Sequence, residues 1–330
     1  MFFWLKRLGL VFFCLILCLA AITYYQGWQY LGAYTGGGFA RKLPTFTNKE
    51  KNQVCAAAPI KVVSYNVMYG SALIESFASR FLHGKTGKNE LPWSTRKAEI
   101  RQRIASYTPD LVGLQEMGED SDVAEIMALD DYSIVGYHTK TFQYDDSVLL
   151  YKTARFQALD SGQFWLGKTP DLPLSLGYRP LAVLRYVNWV LLQDKNSGFT
   201  FLYVNTHFDN ASVNKEPSAS LFRERIASLS HFMPIIVTGD FNTRGDTERY
   251  RRLTGLDTTP VLLENAYQLA HAPVVEASVH PDQRIDHILV GGPCLAEAKA
   301  WLIDERPLQN GQMASDHGLV FSEIQFFKKP

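Results

Sequence analysis

Three short acidic motifs late in the chain carry residue types that can do chemistry together: Gly239-Asp240-Phe241-Asn242, Arg284-Ile285-Asp286-His287 and Ser315-Asp316-His317. They offer carboxylates, an amide and an imidazole, a set suited to a hard cation and a phosphoryl oxygen. Hydrolysis of a phosphoester needs an activated water, positive charge on the phosphoryl oxygens and a proton for the leaving oxygen. A histidine oriented by a carboxylate is the natural proton carrier near neutral pH. Taken singly, each motif has an ordinary explanation. Asp240 could close an Asx turn, Arg284 and Asp286 could pair at a sheet edge, and Asp316-His317 could be a surface turn.

The elements that must position these groups are legible as apolar runs. Asp240 follows Pro234-Ile235-Ile236-Val237-Thr238, the pattern of a strand buried on both faces. Gly239 permits a sharp turn, and Asp240 and Asn242, two residues apart, leave the strand on the same side. Ile285 to Val290 alternates on entry, placing Asp286 on the face opposite Ile285 and His287. Ser315-Asp316-His317 precedes the apolar Gly318-Leu319-Val320-Phe321. In the first half, Val62 to Val67 reads as a strand with Asn66 near its end, and Asp110 to Gln115 as another that terminates at Glu116. Phe201 to Thr206 ends in His207. Several apolar strands thus terminate in polar, catalysis-capable groups, which argues for one shared cleft.

In this order, the motifs resemble the endonuclease/exonuclease/phosphatase superfamily, which includes deoxyribonuclease I, exonuclease III, inositol polyphosphate 5-phosphatases and neutral sphingomyelinases. The resemblance covers about residues 60 to 326. It implies an α/β fold, a four-layer α/β/β/α sandwich of two mixed β-sheets with the site at one end. It further implies that Glu116 and Asn66 bind a metal, with Asp316 assisting. Asp240 and Asn242 would handle the attacking water and the phosphate. His317, oriented by Asp286, would contact the scissile phosphate or transfer a proton. His207 matches a second histidine of the deoxyribonuclease I-like branch, found there within Asn-Thr-His, so Asn205 joins Arg185 as a candidate phosphate contact. Asp145 falls where relatives carry a glutamate that supports this histidine; it is one methylene shorter, and Asp146 is its rival. The expected cofactor is Mg2+, or Mn2+ or Ca2+ in its place. A sparse set of oxygen ligands suits such ions, whereas several histidines would suggest zinc.

Composition narrows the substrate only slightly. The 330 residues are 46% hydrophobic with a formal net charge of zero, enough for one large core and no overall basic character. Enzymes that grip nucleic acid duplexes often present a basic face. Lys85, Lys88, Arg96, Lys97, Arg101 and Arg103 form the densest basic stretch, but Ile100, Ile104 and Tyr107 make it read as a loop and an amphipathic helix. Nucleic acid, a lipid headgroup and a small molecule all remain as phosphoester substrates, with a phosphodiesterase or nuclease preferred over a phosphomonoesterase or a sphingomyelinase-like enzyme. A silent binding module on the same fold is disfavoured by the joint presence of all these groups, and no obligate protein partner is evident. His83, His138, His231, His271, His280 and His287 lack a comparable context.

The N-terminus makes a separate prediction. Lys6 and Arg7 precede an uncharged apolar run, and no further charge occurs until Arg41. Residues 8–27 suffice for a transmembrane anchor, and the leading charges predict that 1–7 is cytoplasmic and the remainder exported. The rival is a cleaved signal segment, since Cys18-Leu19-Ala20 is weakly cleavage-like. Both place the enzyme on the extracytoplasmic side. Residues 28–58 read as a linker and 59–330 as the catalytic domain. Beyond the apolar segment lie two cysteines, Cys55 and Cys294, which could pair in an oxidising compartment.

Overall fold

A computed structural model describes residues 9–21, 55–70, 91–118, 120–136, 146–172, 175, 177–178, 184–257, 262–271 and 279–329. The domain opens with β1 (Ile60–Gly70), α1 (Trp93–Ser106), β2 (Leu111–Met117) and α2 (Asp120–Ile126). It continues through β3 (Tyr132–Val135), β4 (Leu149–Lys152), β5 (Phe156–Trp165), β6 (Tyr186–Asp194) and β7 (Thr200–His207). Then come α3 (Ser212–Ser230), β8 (Ile235–Asp240), α4 (Glu248–Thr254), β9 (Leu263–Asn265), β10 (Asp286–Gly291), β11 (Leu295–Asp304) and β12 (Leu319–Phe327).

Two six-stranded sheets result, ordered β11-β12-β1-β2-β4-β3 and β5-β6-β7-β8-β10-β9. Each is mixed: β1 runs parallel to β2 and β7 parallel to β8, while the other pairings are antiparallel. A helix crosses over within each parallel pair, α1 in the first sheet and α3 in the second, as parallel neighbours require. Apolar residues divide into three layers. Val63, Tyr65, Val112 and Leu114 pack under α1 and α2. Val187, Trp189, Val204 and Val237 pack under α3 and α4. Ile60, Val62, Leu111, Phe201, Tyr203, Ile236, Ile288 and Val290 fill the space between the sheets. The expected sandwich of two mixed sheets with flanking helices is therefore the observed one.

Strand parity places the chemistry. Side chains alternate between faces with a period of two. In β1 the row 60, 62, 64, 66 therefore looks into the interlayer; so do 201, 203, 205, 207 in β7, 236, 238, 240 in β8 and 286, 288, 290 in β10. Moving along these rows, the apolar core gives way to buried polar groups. Gln115 donates to Asn205 Oδ1 at 2.8 Å, and Thr238 Oγ1 donates to the same oxygen at 3.0 Å. Asn205 Nδ2 donates to the carbonyls of Leu114 and Val148. These bonds stitch the two sheets together, and Gly113 lets them approach: a Cβ there would lie 2.1 Å from Thr238 Oγ1 and 2.6 Å from Asn205 Oδ1.

Two local expectations change. Gly239 does not form a turn; β8 runs through it to Asp240, and its bare Cα admits the Thr206 carbonyl, which would lie 2.5 Å from a Cβ. Arg284 pairs with Glu305 rather than with Asp286. At the N-terminus, residues 9–21 are helical with exposed apolar side chains such as Leu10 and Phe12. Among the described residues, no helix is long and apolar enough to cross a membrane. The expected span extends to Gly27, and its last six positions, with most of the linker, lie outside the described residues, as do Lys85, Lys88, His83 and His138.

Cys55 and Cys294 form a disulfide with a Cα–Cα distance of 5.6 Å across a sequence separation of 239. It closes nearly the whole domain into one covalent loop, and its stabilisation comes chiefly from restricting the unfolded chain. Replacing both cysteines by serine should lower the free energy of unfolding by about 2–5 kcal/mol. A urea midpoint that does not move would contradict this account.

Candidate active site

The polar ends of the interlayer rows converge at one edge of the sandwich. Asn66 closes the β1 row, and its Nδ2 donates both to Glu116 Oε1 and to Asp240 Oδ2, each at 3.1 Å. Its Oδ1 accepts the Met68 backbone N–H at 3.0 Å. Glu116 Oε2 in turn accepts the Tyr69 N–H at 3.1 Å. By parity Glu116 would face α1, but its backbone is left-handed, with φ of 60°, and this redirects the side chain toward Asn66. Asn242 is left-handed as well, φ 46°. Its N–H donates to Asp240 Oδ1 at 2.8 Å, the Asx-type contact anticipated for this motif.

Two imidazoles flank Asp240. His207 Nε2 lies 3.5 Å from Asp240 Oδ2 and His317 Nε2 lies 3.8 Å from the same oxygen. Each ring is held from behind. His207 Nδ1 is 3.0 Å from Asp146 Oδ1, and His317 Nδ1 is 2.7 Å from Asp286 Oδ2. The Asn242 amide donates to the Phe208 carbonyl at 2.8 Å and faces His207 Nε2 at 3.3 Å. Ser315 secures the last motif, its hydroxyl donating to the Asn66 carbonyl at 2.7 Å and accepting the His317 N–H.

The electrostatics follow from these contacts. Burial opposes charge on His317, but Asp286, Asp240 and Asp316 outweigh it and raise its pKa to about 10. Burial and the Arg185 charge press His207 downward, yet Asp146 and Asp240 leave it above its ordinary value. Asp146 is pushed up by burial and pulled down further by Arg185 and His207, reaching about 2. His287 is the contrast. It faces away from Asp286, on the α4 side, where it contacts Asn265 at Nδ1 and the Thr243 carbonyl at Nε2. Burial lowers its pKa to about 4, so it stays neutral.

The structure thus assembles Asn66, Glu116, His207, Asp240, Asn242, Asp286 and His317, with Asp316 exposed at the rim, 4.0 Å from His317 Nε2. Three assignments change. The carboxylate behind His207 is Asp146; Asp145 lies outside the described residues. Asp146 is wholly buried, its N–H donating to the Tyr186 hydroxyl and its carbonyl accepting the Glu116 N–H, so it is bound into the strand framework. Asn205 is buried with both donors and its oxygen engaged in the sheet-to-sheet stitch, so it does not reach a substrate phosphate. Arg185 turns onto Asp146 and the Nδ1 edge of His207, so its charge supports that dyad. One contributor escaped the sequence altogether: Arg96, which is completely buried beneath β1.

The donor set fits a hard divalent cation. Carboxylate oxygens of Asp240 and Asp286 lie within 4.8 Å of each other and of a His317 ring nitrogen, with His317 as their cationic neighbour. Asp286 Oδ1 is buried with no hydrogen-bond partner among the described residues, an acceptor left open. Glu116 adds carboxylate oxygens, linked to Asp240 through the Asn66 amide. A set dominated by carboxylate oxygens suits a hard divalent cation.

A family profile described as Endonuclease/Exonuclease/phosphatase family matches residues 63–317. The chain belongs to the endonuclease/exonuclease/phosphatase family. Relatives in this family are hydrolytic enzymes of the phosphoester class, and the family is typically dependent on divalent metal. Protein angel of Drosophila melanogaster is 26% identical over 203 residues, covering 59% of this chain and 55% of that protein. The chain spans about half, or less, of the length of the curated relatives it matches. Among solved structures, an endonuclease/exonuclease/phosphatase family protein of Bacteroides thetaiotaomicron superposes with a TM-score of 0.66 at 24% identity, over 82% of this chain and 99% of that one. A mannosyl-6-phosphatase of the same species superposes at 0.63 with 22% identity, over 80% and 99%. At these identities the superpositions establish the fold that this member of the family shares.

The neutral, buried His287 makes stability depend on pH. Its pKa is depressed from an ordinary 6.5 to about 4. The unfolded chain therefore takes up a proton before the folded one does, and stability present above pH 6.5 is lost as pH falls toward 4. The loss approaches about 3 kcal/mol. Urea titrations across this window should show that slope in the native sequence and a flatter one in His287→Gln. Equal slopes would refute it.

Proposed function

We propose that this protein is a divalent-metal-dependent phosphodiesterase, acting by water attack on phosphorus. The observation that carries the reading is the position of Asp240, whose Oδ2 is shared by the Asn66 amide and approached by two carboxylate-backed imidazoles. In this reading Asp240 takes the proton of the attacking water, and Asn242 holds His207 in line with it. His317 is cationic at neutral pH and faces the space where phosphoryl oxygens would sit, offering charge and a proton to the leaving oxygen. Glu116 and Asn66 would hold the metal, with Asp316 beside them; bound there, the ion would supply positive charge against the phosphoryl oxygens.

Charge favours a diester over a monoester. Asp146, Asp240, Asp286, Glu116 and Asp316 surround the site, and the Arg185 cation is engaged with Asp146. A diester brings a single negative charge to this acidic setting, whereas a monoester brings about 1.5 to 2. Nucleic acid, a lipid headgroup and a small molecule remain within that class. A phosphomonoesterase is the second reading, supported by the fold shared with a mannosyl-6-phosphatase.

We place the enzyme outside the cytoplasm, held by its N-terminal segment. Support comes from the exposed apolar helix at 9–21 and from the Cys55–Cys294 bond, since structural disulfides belong to oxidising compartments.

The detergent-solubilised full chain should hydrolyse bis-p-nitrophenyl phosphate in Mg2+ faster than p-nitrophenyl phosphate, with EDTA abolishing turnover. Asp240→Ala should lower kcat by about a thousandfold. Faster monoester hydrolysis would favour the second reading, and no metal-dependent turnover on either would end both.

A further inference from the structure

Arg96 sits in the first turn of α1 with no solvent exposure, although Lys97 beside it is half-exposed and Arg101 is exposed. Its guanidinium is surrounded by backbone carbonyls. Nη1 donates to Val67 O at 2.7 Å and to Ala314 O at 2.9 Å. Nη2 donates to Met68 O at 2.5 Å and to Tyr69 O at 3.4 Å, and Nε to Leu91 O at 2.8 Å. The Trp93 ring lies 5.6 Å from the guanidinium carbon. A planar fork with five donors can bracket separate chain segments in this way, and a lysine ammonium cannot.

Four of those five carbonyls belong to two segments that build the site. Val67, Met68 and Tyr69 directly follow Asn66, and the N–H groups of Met68 and Tyr69 bond Asn66 Oδ1 and Glu116 Oε2. Met68 and Tyr69 both have left-handed backbones, φ 54° and 51°, a conformation that non-glycine residues hold only when their surroundings enforce it. Ala314 directly precedes Ser315, Asp316 and His317. One buried cation therefore grips the backbone directly after Asn66 and at the root of the His317 motif.

We propose that Arg96 is a positioning residue that sets the metal-holding groups Asn66 and Glu116 and the Ser315–His317 motif in a single geometry. The assignment rests on the metal-dependent reading of the site. Arg96 touches neither the substrate nor the reacting atoms. It acts by pinning the left-handed turn so that two N–H groups orient Asn66 and Glu116, and groups that orient metal ligands typically change metal affinity by about 10- to 100-fold when removed.

The test uses the full chain and Mn2+ as probe, with free Mn2+ counted by electron paramagnetic resonance. Arg96→Gln should bind Mn2+ at least about tenfold more weakly than the unaltered chain, with a matching fall in kcat and little change in KM. Arg96→Lys keeps the charge and should recover only part of the affinity. Arg155 provides the control: it is a similar clamp, bonding the carbonyls of Ala58 and Pro59 and the side chains of Asp110 and Asp194, remote from the site. Arg155→Gln should lower Tm but leave Mn2+ affinity within about twofold, since outer groups matter only near the ligands. Circular dichroism identifies the folded variants, and Arg96→Lys decides alone should Arg96→Gln not fold. Unaltered Mn2+ affinity in a folded Arg96 variant overturns the proposal, as does an equal loss in Arg155→Gln. An unaltered chain that binds no Mn2+ overturns the metal reading itself and this assignment with it.

Discussion

The amide of Asn66 is the constraint on which the site depends. It donates to Glu116 from its own sheet and to Asp240 from the other, each at 3.1 Å. Two carboxylates brought this close would repel; a shared donor between them offsets that repulsion and fixes their separation. Because β1 and β8 lie in different sheets, the same amide also sets the spacing of the sandwich at its catalytic edge. Behind it, Gln115, Asn205 and Thr238 repeat the pattern with neutral groups, so the sheets are joined by polar contacts wherever the apolar filling stops.

Along each interlayer row the surroundings change in a graded way. Deep in the sandwich the residues are apolar, then come amides and hydroxyls with their bonds made internally, and then ionisable groups at the edge. The ordering matters because a carboxylate or imidazole becomes tunable where burial and neighbouring charge compete. His317, just before β12, and His287, on β10, show both outcomes. The first is drawn upward by surrounding carboxylates, and the second is pressed down by burial alone. Left-handed backbones at Met68, Tyr69, Glu116 and Asn242 lie at the edge of the same gradient. Each costs on the order of 1–3 kcal/mol, which well-formed sheets and internal clamps must offset.

Much of this was legible in the chain because strand parity is a local property. Asn66, His207 and Asp240 each end an apolar run on the interlayer face and Asp286 begins one, and the runs are long enough to show it. Glu116 was found at a strand end too, although its left-handed φ was not foreseeable from its neighbours. Asp145 and Asp146 could not be separated by pattern, since they precede β4 in a segment with no periodicity. Asn205 carries the right parity but lies one step too deep. Arg185 carries the right charge but meets a carboxylate before any phosphate. Arg96 was read as part of a basic helix surface, since the carbonyls that bury it come from Leu91, Val67–Tyr69 and Ala314, segments that no helical period relates. The cysteine pair could be suspected but not assigned, because pairing depends on where β10 returns.

The disulfide also fixes an orientation. β1 runs from Ile60 toward the site at Asn66, and β10 runs away from the site from Asp286 to Gly291, just before Cys294. The bond therefore lies at the pole of the sandwich opposite the catalytic edge, roughly 20 Å back along the strand direction at about 3.3 Å per residue. The disulfide thus staples the point where the chain enters the domain, at Cys55, to the loop after β10, at the end of the sandwich farthest from the ionisable groups.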